Sequence, residues 1–208
     1  MPRRQLVHTV IDLVVAFRTV VEALDDGGVQ HVVVGSTAAA AWGVARTTRD
    51  IDLVATMSAT DVARFLAAIE HTDLYVPEDD ARRAAGGGSF NVLHTRSGGK
   101  VDVFVAPPED AFTRSRMERR VRMDVLGVPA WVATPEDVVL AKLRWRLESR
   151  STVQWRDCAE IAATQPLDEE YLWSWADTLG VRSDLTDLLE QTRTATRREH
   201  GNPTGDGG

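Results

Sequence analysis

VVVGSTAAAAWGVARTTRDIDLV, which occupies residues 32–54, decides the fold predicted for this chain. Its first three residues are β-branched, which is typical of a buried strand, and Gly35-Ser36 marks a turn. The alanine-rich run that follows predicts a helix over 37–42 with Ser36 as its N-cap. Alternating residues over 50–54 predict a second strand. The segment is therefore expected to form a strand, a turn, a helix and a second strand.

Carboxylates occupy one face of the second predicted strand. Asp50 and Asp52 are two positions apart, so their side chains project the same way, roughly 7 Å apart along the strand. Two like charges in this arrangement repel unless a cation or hydrogen-bond donors lie between them. Mg²⁺ is the natural cation, because it prefers oxygen ligands and commonly binds carboxylates together with substrate phosphates. Asp102, on a strand predicted over 100–105, adds a third carboxylate if the two strands are neighbours, and such a cluster can hold two metal ions.

The Gly35-Ser36 turn has two interpretations. The N–H groups and the positive dipole end of a helix N-terminus bind phosphate, and glycine lets an anion approach the backbone. Gly-Ser turns that open helices are common, however, so a purely structural turn is the alternative.

Three motifs follow one another along the chain: Gly35-Ser36, then Arg46-Thr47-Thr48-Arg49-Asp50-Ile51-Asp52, then Lys100-Val101-Asp102. Their combination resembles the signature of the DNA polymerase beta-like nucleotidyltransferase superfamily, and the R-x-T-x-D-I-D form is similar to that of stand-alone bacterial AbiEii-like nucleotidyltransferases. The resemblance implies an α/β (α+β) fold with a mixed β-sheet flanked by helices. It also implies Mg²⁺ or Mn²⁺ held by Asp50, Asp52 and Asp102, and nucleotide transfer from a nucleoside triphosphate such as ATP.

The resemblance also assigns roles around the metal. The Gly35-Ser36 turn would bind the triphosphate, and Asp102 would help to deprotonate an acceptor hydroxyl. Arg46 or Arg49 would neutralise phosphate charge, and pairing of one of them with a neighbouring acid is the alternative.

The segments PEDVVLAKL (135–143) and QWRD (154–157) resemble the C-terminal part of AbiEii-like enzymes. By that resemblance, Lys142 contacts the triphosphate, and Asp157 assists the acceptor or positions Lys142. The residues themselves leave open a surface lysine and a salt bridge between Asp157 and Arg156.

Hydrophobic periodicity and turn residues suggest three regions. A nucleotidyltransferase core is expected over 1–133, a C-terminal helical region over 134–195, and a disordered Gly/Pro-rich tail over 196–208. Four tryptophans of the helical region are interpreted as packing anchors between helices: Trp145, Trp155, Trp173 and Trp175.

Composition indicates an ordinary globular chain, with 43% hydrophobic and 26% charged residues. The single cysteine, Cys158, cannot form an internal disulfide, and charged residues interrupt the apolar N-terminal run, so we expect a cytoplasmic protein without a membrane segment. The net charge of −7 argues against nucleic-acid binding by the whole surface. Five arginines crowd residues 114–122 and form either a track for an RNA backbone or a solvated face.

Three hypotheses remain for what the protein does. The acceptor is the 3′ end of an RNA such as tRNA, as in a toxin with a cognate antitoxin protein, or it is a small molecule or a protein hydroxyl. The third hypothesis is a non-catalytic module, an antitoxin or a lapsed relative, that binds a partner protein.

Overall fold

The computed structural model describes residues 2–46 and 50–200, with side chains described over 12–46 and 50–195. Within these residues the chain divides into two compact units. The first comprises residues 2–41, 45–46 and 50–134, and the second comprises residues 42–44 and 135–200. No helix in the described residues is long and apolar enough to cross a membrane.

In the described part of the first unit, seven strands form one mixed sheet in the order β3-β4-β5-β2-β1-β7-β6. The strands are β1 (His31–Val34), β2 (Asp50–Ala55), β3 (Leu74–Tyr75), β4 (Gly88–His94), β5 (Lys100–Val105), β6 (Val121–Val125) and β7 (Val128–Val132). The β2/β5 and β1/β7 pairs are parallel, whereas β1/β2, β3/β4, β4/β5 and β6/β7 are antiparallel. The mixed sheet expected from the sequence is therefore confirmed.

Helices of the first unit follow the sheet in chain order. They are α1 (Pro2–Asp26), α2 (Gly35–Ala41), α3 (Ala59–Ile69), α4 (Glu78–Ala84) and α5 (Ala111–Arg119). The α3 helix begins with a capping box, in which Ser58 Oγ accepts from the Asp61 backbone N–H at 3.2 Å and Asp61 Oδ2 accepts from the Ser58 N–H at 2.9 Å. The α4 helix has no counterpart among the predicted elements, because its buried side chains are only two alanines and its apolar periodicity is correspondingly weak.

The α2 helix corrects one expectation. It begins at Gly35, so Ser36 is its second residue and not its N-cap. The backbone turns into the helix at Gly35 itself, whose φ is +64°, a left-handed conformation that favours glycine.

The two faces of the central strands differ in polarity. Ile51, Leu53, Val101 and Val103 are all fully buried on one face. Because side chains alternate along a strand, the aspartates of β2 and β5 lie on the opposite face.

The second unit is helical: α6 (Pro135–Ser149), α7 (Thr152–Thr164), α8 (Glu169–Ala176) and α9 (Arg182–His200). Its core consists of aliphatic side chains that are fully buried: Leu140, Leu143, Ile161, Leu172, Leu185 and Leu188. The tryptophans are not its core. Trp145 is 60% exposed, while Trp155 and Trp173 lie under the guanidinium groups of Arg146 and Arg182, at 4.9 and 5.4 Å. The α9 helix runs five residues past position 195, and residues 201–208 of the expected tail lie outside the described residues.

Candidate active site

Strand register brings the aspartates together in the first unit. Asp52 of β2 and Asp102 of β5 are direct partners on neighbouring parallel strands, and Asp50 is the partner of Lys100. Neighbouring strands lie about 4.8 Å apart, so the carboxylates of Asp52 and Asp102 occupy adjacent positions on one face. The condition that the sequence left open, adjacency of the two strands, is met.

Gly35 makes room for one of these carboxylates. A Cβ atom built on Gly35 would lie 2.1 Å from Asp52 Oδ2, closer than any real contact of that kind. The glycine was expected to admit an anion, and the anion that packs against it is the Asp52 carboxylate. Any larger residue at position 35 would move Asp52 or the backbone.

Lys100 is a cation within this group of acids. Its Nζ lies 2.7 Å from Asp102 Oδ2 and 3.6 Å from Asp50 Oδ2. The hydrogen bond to Asp102 raises the pKa of the lysine ammonium above its usual range, so Lys100 is charged at neutral pH. Sequence reasoning placed Lys100 on the same face as Asp102 but missed its contact with Asp50, which depends on the pairing of β2 with β5.

The carboxylates can be tested as metal ligands. Over residues 2–46 and 50–200, no group of three or more histidine, cysteine, aspartate or glutamate side chains is arranged to hold a metal ion. Asp102 Oδ1 is nevertheless buried without a hydrogen-bond partner, and Asp52 is its neighbour. A buried unpaired carboxylate oxygen is costly, and a cation would satisfy it. Asp52 and Asp102 thus fit one divalent cation, with phosphate and water oxygens as further ligands. A three-aspartate, two-metal site stays a prediction.

The second unit contains the other pair expected from the sequence. Lys142 of α6 donates to Asp157 Oδ2 of α7 at 2.9 Å and to Gln154 Oε1 at 3.0 Å. Lys142 is 5% exposed and Asp157 is fully buried. Neither a surface lysine nor an Asp157–Arg156 salt bridge describes this geometry, and Gln154 is a partner that the sequence did not suggest.

The remaining candidates lie near the start of the site motifs. Ser36 follows Gly35 in α2, and Arg46 is exposed in the segment between α2 and β2. Arg49 lies outside the described residues, so its expected role is untested.

The arginines of 114–122 contact groups of the protein itself. Arg116 is buried and donates to Thr113 Oγ1 at 2.8 Å, and Arg114 donates to the Pro108 carbonyl. Arg120 and Arg122 both lie over the Trp131 ring, at 4.8 and 5.3 Å from its centroid. Neither a continuous solvated face nor an uninterrupted basic track describes these side chains.

Comparison with solved structures identifies the fold. The chain matches an antigenic nucleotidyltransferase-like protein from Paracoccidioides brasiliensis with a TM-score of 0.51 and 16% identity, over 88% of this chain and 91% of that chain. Weaker matches are JHP933 from Helicobacter pylori (TM-score 0.48, 13% identity, 92% and 97% covered) and the antibiotic-resistance factor ANT(2'')-Ia (0.47, 15%, 90% and 92%). No protein-family model and no curated protein matches the sequence. The first match, together with the mixed sheet, shows that this chain has a nucleotidyltransferase-like fold.

Proposed function

We propose that this protein is a divalent-metal-dependent nucleotidyltransferase. The observation that carries the proposal is the register of β2 with β5, which places Asp52 beside Asp102 and next to Gly35. Like charges this close are costly for the fold, so their presence on an open face of the sheet supports a cation-binding function.

The reaction is transfer of a nucleotidyl group from a nucleoside triphosphate to an acceptor hydroxyl. The acceptor oxygen forms a bond to the α-phosphorus, the bond between that phosphorus and the pyrophosphate oxygen breaks, and pyrophosphate leaves. The hydroxyl proton passes to a base. A bound Mg²⁺ or Mn²⁺ would supply charge neutralisation and Lewis-acid activation.

Residues of the first unit have distinct roles in this proposal. Asp52 and Asp102 hold the cation, and Asp50 adds negative charge beside it. Asp102 is also the group best placed to accept the hydroxyl proton, because its Oδ1 is buried and has no other partner. Gly35 and Ser36 border the site where the triphosphate would lie, and Arg46 would contact its charge.

In the second unit, Lys142 and Asp157 are proposed to act as in AbiEii-like enzymes. Their contact supports the version in which Asp157 positions Lys142, because the Asp157 carboxylate accepts directly from the lysine ammonium. Lys142 would then contact the triphosphate.

For the acceptor, we favour a small molecule or a protein hydroxyl over tRNA. The net charge is −7, and four of the five clustered arginines contact groups of the protein. A polyanionic acceptor gains most of its affinity from cationic side chains on the surface, so both facts weaken the tRNA hypothesis. A role as a toxin restrained by an antitoxin in the cytoplasm depends on the tRNA arm of the test below.

The test is transfer of label from each of four α-labelled nucleoside triphosphates in the presence of Mg²⁺. Acceptors are total tRNA, a panel of small polyhydroxylated compounds and the protein itself, assayed separately. Transfer by the wild type that is lost in Asp102→Asn supports the proposal, and the labelled acceptor identifies the substrate class.

Asp73→Asn is the matched control, because Asp73 is an exposed aspartate of the same unit that pairs with Arg96. It should transfer label like the wild type. Absence of both transfer and metal-dependent nucleotide binding in the wild type would contradict the proposal and favour the non-catalytic, partner-binding alternative.

A further inference from the structure

Lysine is rare in this chain and is confined to the two candidate groups. Of 24 lysine and arginine residues, only Lys100 and Lys142 are lysine. Both form ion pairs with aspartates of those groups. Lysine carries a compact charge on a flexible stem, whereas arginine presents a rigid planar fork. A side chain that must leave one partner for another is better served by lysine.

Lys100 neutralises only part of the charge around it. Its ammonium contacts one oxygen of Asp102 and one oxygen of Asp50, and the other Asp102 oxygen has no hydrogen-bond partner in the described structure. The Lys100 side chain is one-third exposed, so its four-carbon stem has room to swing away from the sheet. The arrangement is a partly filled cation site.

We infer that Lys100 is a resident counter-ion that competes with the divalent cation for Asp102; this inference rests on the proposed function. A divalent cation between Asp52 and Asp102 repels the ammonium and takes over the neutralisation of Asp102. Lys100 then leaves the carboxylates and becomes available to the negatively charged triphosphate. It is a positioning residue, which keeps the aspartates together before the cation arrives.

This inference predicts the sign of a substitution. Removing a side chain that only supports the site would weaken metal binding, whereas removing a competitor strengthens it. We expect Lys100→Met to bind Mn²⁺ about tenfold more tightly than the wild type, the scale of effect that a neighbouring charge has on a carboxylate. Lys100→Arg keeps the charge and should stay within about threefold of the wild type.

The experiment measures Mn²⁺ affinity by electron paramagnetic resonance of the free ion, with and without ATP. Arg96→Met is the matched control, because Arg96 pairs with Asp73 in the same unit and its loss also removes one positive charge. It should bind Mn²⁺ like the wild type. A second readout uses protein labelled with ¹³C-lysine, which gives two Cε signals, one of which disappears in Lys100→Met. The Lys100 signal should shift saturably with Mg²⁺ alone.

The outcomes separate this inference from the proposed function. If Lys100→Met binds Mn²⁺ as the wild type does, or more weakly, the counter-ion role is overturned while metal-dependent catalysis stands. If neither protein binds Mn²⁺ with or without ATP, the proposed function fails and the counter-ion role fails with it.

Discussion

The Lys142 ammonium lies 2.9 Å from the Asp157 carboxylate, and both side chains are withdrawn from solvent, at 5% and 0% exposure. An ion pair this deep is stable only while both partners remain, because a lone buried charge is poorly solvated.

We expect Lys142→Met and Asp157→Asn each to lower the free energy of unfolding by about 3–5 kcal/mol. The double variant Lys142→Met/Asp157→Leu should lose clearly less than the sum of the single losses, since it leaves no charge unpaired. Chemical denaturation measures these differences. The exposed pair Arg193–Glu169 of the same unit is the control, and Arg193→Ala should cost at most about 1 kcal/mol. Equal losses at the two pairs would contradict the interpretation.

Gly35→Ala should damage both the fold and the metal site. The new Cβ would require Asp52 to move and would hold alanine at a φ of +64°. Gly28→Ala is a matched control, because Gly28 has a φ of +67° and nothing within 4 Å of an added Cβ. Both variants suffer backbone strain of about 1 kcal/mol. Only Gly35→Ala should lose more than this in thermal unfolding and also lose Mn²⁺ affinity; equal behaviour would show that Asp52 tolerates the displacement.

Metal-dependent nucleotide binding should depend on the aspartates. We expect Asp50→Ala to abolish it while the circular dichroism spectrum and melting temperature stay near those of the wild type, because Asp50 is half-exposed. Asp52→Asn and Asp102→Asn should weaken it by about 100-fold, since an amide is a poor replacement for a carboxylate ligand. Fluorescent nucleotide titration with and without Mn²⁺ measures the effect. Normal binding by Asp50→Ala would remove that residue from the site.

The single cysteine provides a probe of the second unit. Burial raises the pKa of the Cys158 thiol to about 12, from a model value of 9.0. The thiolate is the reactive form, so the native thiol should react with a disulfide reagent at least about 100-fold more slowly at pH 8 than in the unfolded chain. Comparable rates in the two states would contradict the burial of Cys158.

The same shift predicts the pH dependence of stability. Below pH 9 the thiol is protonated in both states, and between about pH 9 and 12 only the unfolded state loses the proton. Folding therefore loses stability as pH rises through that range. Cys158→Ala should lack this part of the alkaline loss, which is seen by comparing the free energies of unfolding of the two proteins at pH 8 and pH 10.5.

Sequence alone determined the local elements of the first unit and the residue types of its site. Alternation fixed which face of β2 carries Asp50 and Asp52, because the side-chain period of a strand does not depend on the rest of the protein. Caps and turn residues placed α3 and the β6–β7 hairpin for the same reason. The α4 helix was missed where the helical pattern had little apolar periodicity, and the tryptophans were misplaced because an aromatic side chain can also pack on a surface arginine.

Only the tertiary structure decided which of these residues meet. The pairing of β2 with β5 brings Asp52 beside Asp102 and Lys100 beside Asp50, across a separation of 50 positions in the chain. The packing of α6 against α7 turns Lys142 and Asp157 into a buried ion pair. Local sequence patterns encode the direction of a side chain, whereas its neighbours depend on strand order and helix packing, which are set by the burial of the whole apolar surface.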